Sequence, residues 1–299
     1  MTGDIAVGTK VFKRSEKLEQ LLSSIPNYVK TVYVADDGST NERSDIYSKE
    51  YQFDLKVLDL EYDKGLGAGR RAIVDEFTEE YLTIVDADHK IPENLDLLRG
   101  LLDENDQLGG VSGAILEPNE QTYYITGQFL KEEGKDLHRG PRVEKDIVID
   151  EINGNSVLYF DFIANAAMFR RECLESYSWD PEYVIGYEHI DFYVGHWKTT
   201  KWKFGVCPSV IFKHYPGGSS EYNENRESAN KLNNSKDYFL EKWEFEKDVR
   251  RGFRWARGPP TGSWYFRGEM NMWQKGLAIL VFDGPMELIK RIKVRIQRM

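Results

Sequence analysis

The stretch "YLTIVDADHKIP", residues 81–92, governs the reading of this chain. Leu82 to Val85 form an apolar run that delivers two carboxylates one residue apart, Asp86 and Asp88, followed by His89 and Pro92. A short apolar run bounded by polar turn residues reads as a buried strand. A strand that ends in D-x-D places two acids where an α/β sheet exposes its ligand crevice. One carboxylate can then face a cation while the other serves ribose hydroxyls or a metal-bound water. Mg²⁺ or Mn²⁺ suits this pattern, because such ions bind a diphosphate through one or two protein carboxylates and several waters. An acidic cap before the helix "PENL" explains the same residues without a metal, so the motif alone leaves the choice open. His89 is left unassigned: it could be a ligand, and a solvent-facing residue at the helix start is the simpler account.

Outward from this stretch the pattern repeats. Strand signals "DIAVGTKVF", "TVYVADD", "LKVLDLE" and "YLTIVDAD" alternate with helix signals "SEKLEQLLSSI", "ERSDIYSKEY", "GAGRRAIVDEF" and "PENLDLLRGLL". In the first helix Ser15 is the expected N-cap, and Leu18, Leu21, Leu22 and Ile25 share one face. Such alternation predicts an α/β protein with a Rossmann-like, mostly parallel central sheet flanked by helices and joined by right-handed crossovers. Each polar motif, "DDGST", "DKGLGAGRR" and "DADH", follows a strand and falls at the crevice end of the sheet. Beyond residue 108 the strands "GGVSGAILE", "YYITGQFL", "NSVLYFDFIANAAMF" and "FGVCPSVIFKH" surround a polar stretch, "KEEGKDLHRGPRVEKD", that reads as a loop or lid. "WDPEYVIGYEHIDFYVGHWK" reads as a glycine turn into a helix near Glu188. After residue 220 come a helix over "NKLNNSKDYFLEKWEFEKDVRRG" and a basic terminal helix.

Composition narrows the function. The 299 residues suffice for one large domain or two small ones, and 40% hydrophobic with 30% charged residues is ordinary globular usage. No apolar run reaches the roughly 18 residues of a membrane span, and no signal peptide is visible. Two cysteines make no disulfide framework or metal spacing, so a reducing, cytoplasmic setting is expected. A net charge of −10 argues against nucleic acid as a partner. Residues 250–299 nonetheless carry eleven Lys and Arg against three Asp and Glu, on a body with 29 against 47.

Several motifs could carry chemistry. Asp36 and Asp37 end a strand before a glycine turn, as a turn device or as acceptors for a base or ribose. "DKGLGAGRR" has neither the dinucleotide nor the P-loop spacing, but its glycines would let backbone approach a phosphate, with Arg70 and Arg71 as cations. Glu188 and Asp191 stand at i and i+3, on one helix face, where a carboxylate beside a cleft can act as a base. His214 ends a strand before Gly217 and Gly218, and could supply a third metal ligand or be structural.

In this order the motifs resemble the family 2 glycosyltransferases of the GT-A fold, from "IAVGTKVFKRSEKLEQLLSSI" through "VYVADDGST", "DKGLGAGRR", "YLTIVDADHKI", "ANAAMFRREC" and "GYEHIDFYVG" to "VIFKHY", residues 5 to about 216. The resemblance implies an inverting, metal-dependent enzyme that moves one sugar from a nucleotide-sugar, a UDP-sugar, to a glycan or lipid-linked hydroxyl. It implies that Asp37 reads the base and that Arg70 and Thr9 lie near the nucleotide. Asp86 contacts the ribose or a metal-bound water, Asp88 and His214 bind Mn²⁺ or Mg²⁺, and Asp191 deprotonates the acceptor. Ile190 precedes Asp191 where the family pattern has an acid, which leaves Glu188 as a rival base. A non-catalytic nucleotide-sugar or glycan-binding protein of the same fold is the alternative. Residues 1–115 are expected to form the nucleotide-sugar half, 116–220 the acceptor and catalytic half, and 221–299 a helical, basic extension.

Two C-terminal features extend this reading. "RGFRW", Arg251 to Trp255, is similar to the Q-x-x-R-W signature of processive synthases, within an arginine cluster at Arg250, Arg251, Arg254 and Arg257. Those synthases carry membrane spans, so a single-sugar transferase is expected here. In "MELIKRIKVRIQRM", residues 286–299, Ile289, Ile292, Ile296 and Met299 recur at helical spacing among Lys and Arg. This is the pattern of a helix lying on an anionic membrane surface, which would make residues 285–299 a peripheral contact and suggest a polyprenyl-linked acceptor. Docking on the acidic body or on a partner subunit explains the same helix.

Overall fold

The computed structural model describes residues 4–118, 122–125, 127–140, 148–250 and 256–258, together with isolated positions 273, 280, 285, 286, 288, 289 and 292. The "RGFRW" segment and most of residues 285–299 lie outside the described residues. Strand β1 (Ile5–Val11) leads into α1 (Ser15–Leu22), β2 (Thr31–Asp36), a 3-10 turn with α2 (Ser44–Tyr47), β3 (Asp54–Asp59), α3 (Leu66–Glu76), β4 (Tyr81–Val85), the two-residue β5 (His89–Lys90) and α4 (Asp96–Glu104). Then follow β6 (Leu108–Glu117), β7 (Thr122–Ile125), β8 (Phe129–Glu133), β9 (Asp136–Gly140), β10 (Ile149–Ile152), β11 (Asn155–Phe160), β12 (Ala166–Arg170), α5 (Arg171–Ser176) and α6 (Glu188–Thr199). The described chain closes with β13 (Lys203–His214), α7 (Ser220–Arg226), α8 (Ala229–Lys242), β14 (Lys247–Arg250) and β15 (Ala256–Gly258).

The main sheet has the order β10-β11-β13-β6-β12-β4-β1-β2-β3. β3, β2, β1 and β4 are mutually parallel, β13 runs parallel to β6, and β12 lies antiparallel between β4 and β6. The order 3-2-1-4 puts a topological switch at the β1/β4 boundary, where a crevice opens beyond the strand ends. Both faces are buried because side chains alternate across each strand. Ala6, Tyr33 and Leu82 pack on one face with Ile73 of α3 and Phe192 of α6. Val7, Val32 and Val34 pack on the other with Leu18 and Leu21 of α1 and Leu98 of α4. Each large side chain buried this way is worth roughly 1.5–3 kcal/mol, enough to fix the sheet under its crevice.

Local expectations are corrected in several places. The N-cap of α1 is Arg14, with no side-chain cap bond, and Ser15 already lies inside the helix. α4 begins at Asp96 rather than at Pro92. "NSVLYFDFIANAAMF" is two strands, β11 and β12, not one. Half of the stretch read as a loop or lid is a hairpin, β8–β9, whose two-residue turn has Gly134 at φ +64°, the sign that a tight hairpin requires. The helix expected to reach residue 252 stops at Lys242, and residues 247–250 become β14, parallel to β9 in a second, three-stranded sheet. The C-terminal extension therefore supplies strands as well as helices, since β15 also joins the main sheet through β7.

Candidate active site

The acidic stretch lies beyond the end of β4. Register decides what meets it: β5 pairs antiparallel with the end of β13, and His89 sits opposite His214. Their rings stack with centroids 4.6 Å apart. Asp88 joins them, and one donor atom from each of Asp88, His89 and His214 lies within 4.8 Å of the others. His89, read from sequence as solvent-facing, is only 4% exposed, because the β5 bridge turns it inward.

The proton positions in this cluster suit a cation. His89 Nδ1 is 3.2 Å from the Asp86 carbonyl, which can only accept, so Nδ1 carries the hydrogen and Nε2 presents a lone pair. His214 Nδ1 is 3.1 Å from Glu117 Oε1 and its Nε2 is 3.4 Å from Asp88 Oδ2. A carboxylate behind the far ring nitrogen is how metal-binding imidazoles are usually oriented. Asp88 Oδ1 and His89 Nε2 are both buried. Asp88 Oδ1 lies 3.3 Å from His89 Nδ1, whereas His89 Nε2 is met by no group among the described residues; a buried acceptor is costly unless a cation satisfies it, so the residues fit a divalent ion. Burial alone would raise the Asp88 carboxyl, but both histidines and Arg14 outweigh it and hold it below the usual range. Burial would likewise lower His214, yet Asp88 and Glu117 raise it overall.

Around this cluster the basic groups are already paired. Arg14 Nη1 is 2.5 Å from Asp88 Oδ2, and its guanidinium covers the Tyr222 ring at 4.3 Å. Arg70, fully inside the protein, bridges Asp86 (2.9 Å) and Glu188 (2.8 Å). Burial would raise Asp86, but Arg70 outweighs it and lowers the carboxyl. Arg226 on α7 donates to the Tyr222 hydroxyl at 2.9 Å and adds positive field at Asp86.

The other expected residues sit differently. Thr9 is buried in β1 and its hydroxyl has no partner among the described residues. Asp37 is fully buried: Lys10 Nζ lies 2.7 Å from Oδ1, and the Gly65 amide donates to Oδ2 at 2.8 Å. Burial keeps its carboxyl above the usual range despite these partners. Asp37, expected to read the base, is thus tied to Lys10 and to the start of the glycine turn. The turn amides are also spent, since Leu66 and Gly67 donate to the Val184 and Tyr183 carbonyls. Gly67 is a packing residue, because a Cβ there would stand 2.1 Å from the Asp180 carbonyl oxygen.

Glu188 and Asp191 share a helix but not a purpose. Asp191 is 0% exposed and accepts from Tyr177 (3.0 Å), Tyr183 (2.9 Å), Trp243 (2.8 Å) and Lys242 (3.0 Å). These bonds tie α6 to Lys242 and Trp243 at the end of α8 and enclose both oxygens of the acid expected to act as acceptor base. Glu188 is also buried, at 5% exposed, and is held by Arg70 through Oε1, but its Oε2 has no partner among the described residues. A separate cavity of about 250 Å³, lined by Tyr159, Trp197 and Trp202, lies by Lys203 at the start of β13, whereas His214 ends that strand.

Comparison with known proteins bears on the family and the fold. Residues 7–177 match the family model for glycosyl transferase family 2, more than half of the chain. Two curated relatives are the mouse β-1,4 N-acetylgalactosaminyltransferase 2, 27% identical over 70% of this chain and 39% of its own length, and the rat β-1,4 N-acetylgalactosaminyltransferase 1, 25% identical over 70% and 38%. The chain thus spans about two-fifths of the length of these relatives. Among solved structures, GalNAc-T7 with UDP, GalNAc and Mn²⁺ superposes with a TM-score of 0.54 at 15% identity, covering 80% of this chain and 50% of that one. S. aureus TarS 1-349 gives 0.51 at 16% identity, with 71% and 60% covered. The GT-A fold expected from the motifs is the fold observed. The chain belongs to glycosyl transferase family 2.

Proposed function

We propose that this chain is a metal-dependent, inverting glycosyltransferase that moves one sugar from a UDP-sugar to a hydroxyl of a glycan or lipid-linked acceptor. The observation that carries this reading is the Asp88–His89–His214 cluster with its unmet His89 Nε2, set at the crevice end of the parallel strands. The names of the curated relatives and the UDP and Mn²⁺ held by GalNAc-T7 support the donor and metal classes.

In this mechanism Asp88, His89 and His214 would hold Mn²⁺ or Mg²⁺, which would offset the charge that builds on the diphosphate leaving group. Asp86, fixed by Arg70, faces the ribose side. Thr9, and Asp37 acting through Lys10 and the glycine turn, shape the nucleotide side. Glu188 is the base: it receives the acceptor proton at Oε2 while Arg70 holds Oε1 still. One in-line displacement then inverts the anomeric carbon with no covalent sugar–enzyme bond.

Incubation with a panel of sugar nucleotides and Mn²⁺ or Mg²⁺, with nucleoside diphosphate release as readout, tests the assignment. Release that requires the cation and disappears in Asp88→Asn is expected. Absence of release from every donor, with and without glycan acceptors, would refute it. For the membrane contact, among the described residues no helix is long and apolar enough to cross a bilayer. A peripheral role for residues 285–299 predicts that their deletion abolishes sedimentation with anionic liposomes.

A further inference from the structure

Arg14 is out of place in a metal centre. It occupies the N-cap of α1, a position that usually carries Ser, Thr, Asp or Asn, and spends no side-chain bond on the helix. Instead its guanidinium lies 2.5 Å from the same Asp88 oxygen that His214 approaches, with only 9% of the residue exposed. A divalent cation on Asp88 and a guanidinium on Asp88 are like charges competing for one carboxylate, and in a partly buried site that repulsion is weakly screened. Moving Arg14 off Asp88 would relieve that repulsion.

The surroundings offer somewhere to go. Arg14 Nε is buried without a partner among the described residues, so the fork has a donor to spare, and forked guanidinium donors match phosphate oxygens. The ring beneath it, Tyr222, belongs to α7, which joins β13 through Tyr215–Ser219. Gly217 in that connection has φ +108°, a backbone region that suits glycine.

On the donor-site reading above, we propose that Arg14 is an exchangeable counter-cation. In the free protein it neutralises Asp88 and holds a divalent ion off. When a nucleoside diphosphate enters the crevice, the guanidinium turns to the phosphate oxygens and Asp88 is released to the metal. Metal and diphosphate binding are thereby positively coupled through one side chain, and the coupling must be reciprocal.

The test is Mn²⁺ affinity of the full chain, read from the electron paramagnetic resonance signal of free Mn²⁺, with and without saturating UDP. Wild type is expected to gain about tenfold or more in Mn²⁺ affinity when UDP is present, within the usual range of coupling between sites. Arg14→Gln is expected to bind Mn²⁺ alone about tenfold more tightly than wild type and to lose most of the UDP effect. Lys13→Gln removes an equal charge nearby that does not touch Asp88, and should behave as wild type. Arg14→Lys keeps the charge and serves should the glutamine variant not fold; it is expected to stay as weak for Mn²⁺ alone as wild type. The proposal is overturned by an unchanged UDP effect in Arg14→Gln, by the same gain in Lys13→Gln, or by a lysine variant that binds Mn²⁺ alone tightly. If UDP-dependent Mn²⁺ binding persists in every Arg14 variant but is lost in Asp88→Asn, the metal site stands and only the exchange falls. No Mn²⁺ binding to any variant, with UDP or GDP, would remove the metal site itself.

Discussion

Replacing each of the two helix carboxylates by its amide separates anchoring from proton transfer. In Asp191→Asn one oxygen becomes an NH₂ group that faces donors already in place, the Lys242 ammonium and Tyr177 hydroxyl on one side or the Tyr183 hydroxyl and Trp243 indole on the other. Breaking a buried ion pair costs about 3–5 kcal/mol, and the low end applies because Lys242 keeps Asp180 at 2.7 Å. At roughly 2–4 °C per kcal/mol for a chain of this size, the melting midpoint should fall by about 6–12 °C. Glu188→Gln keeps an acceptor for Arg70, which also retains Asp86, so its cost is about 1–2 kcal/mol. Loss of a general base should nevertheless lower transfer by about a hundredfold or more. Differential scanning fluorimetry and nucleoside diphosphate release, run on both variants, give the comparison. If Asp191→Asn melts with wild type yet loses transfer, while Glu188→Gln still turns over, Asp191 is the base and the assignment reasoned from burial is wrong.

Three further outcomes are expected. His89→Ala should weaken Mn²⁺ binding measured with UDP present by about tenfold or more, the loss typical when the set holding a metal is disturbed; unchanged affinity would return His89 to a packing role. Gly67→Ala should destabilise the fold by about 1–3 kcal/mol in a denaturant melt, because the new methyl meets the Asp180 carbonyl and not a flexible side chain; a neutral result would show that the 180–184 segment yields freely. His196 is enclosed between Cys173 and Thr200, and burial pushes its imidazole down to about 4. Since an unfolded histidine titrates at about 6.5, the unfolded state binds the proton first, so stability is complete above about pH 6.5 and is lost as pH falls toward 4, by about 3 kcal/mol. His196→Gln should flatten that part of the stability–pH curve, and an unchanged slope would assign it to other groups.

Period and punctuation carried the parallel half of the sheet, because each of its strands is an apolar run ended by a polar turn and followed by a helix pattern. They also placed Asp86 and Asp88 at a strand end and began α6 at Glu188. What they missed depends on partners distant in sequence. The inward turn of His89 needs β13, more than a hundred residues later, and two residues of β5 give no periodic signal. Spacing of i and i+3 puts Glu188 and Asp191 on one side of a helix, but Arg70 and Lys242, from opposite ends of the chain, divide their work. The hairpin β8–β9 looked like a loop because its outward residues are charged, and its β9 edge is covered by a strand from far along the chain, β14. Glycines in "GLGAG" suggested a phosphate cradle, whereas the close approach they allow is to the 180–184 backbone.

Charge accounts for the crevice as a unit. The protein carries 50 acidic against 40 basic side chains, so its overall field does not favour an anionic nucleotide, and attraction must be local. Locally, Asp37 is held by Lys10, Asp86 and Glu188 by Arg70, and Asp88 by Arg14. A cation arriving alone meets carboxylates that already have partners, and a diphosphate arriving alone meets Lys10, Arg14 and Arg70 committed to carboxylates, with Arg226 on the Tyr222 hydroxyl. Arriving together, the two ligands bring opposite charges and can exchange partners with the protein pairs without leaving any buried charge alone, the outcome that costs most in a low-dielectric site. A crevice wired this way favours the metal–nucleotide complex over either component, and Arg14 is the pair best placed to be exchanged because its acid is also the centre of the metal cluster.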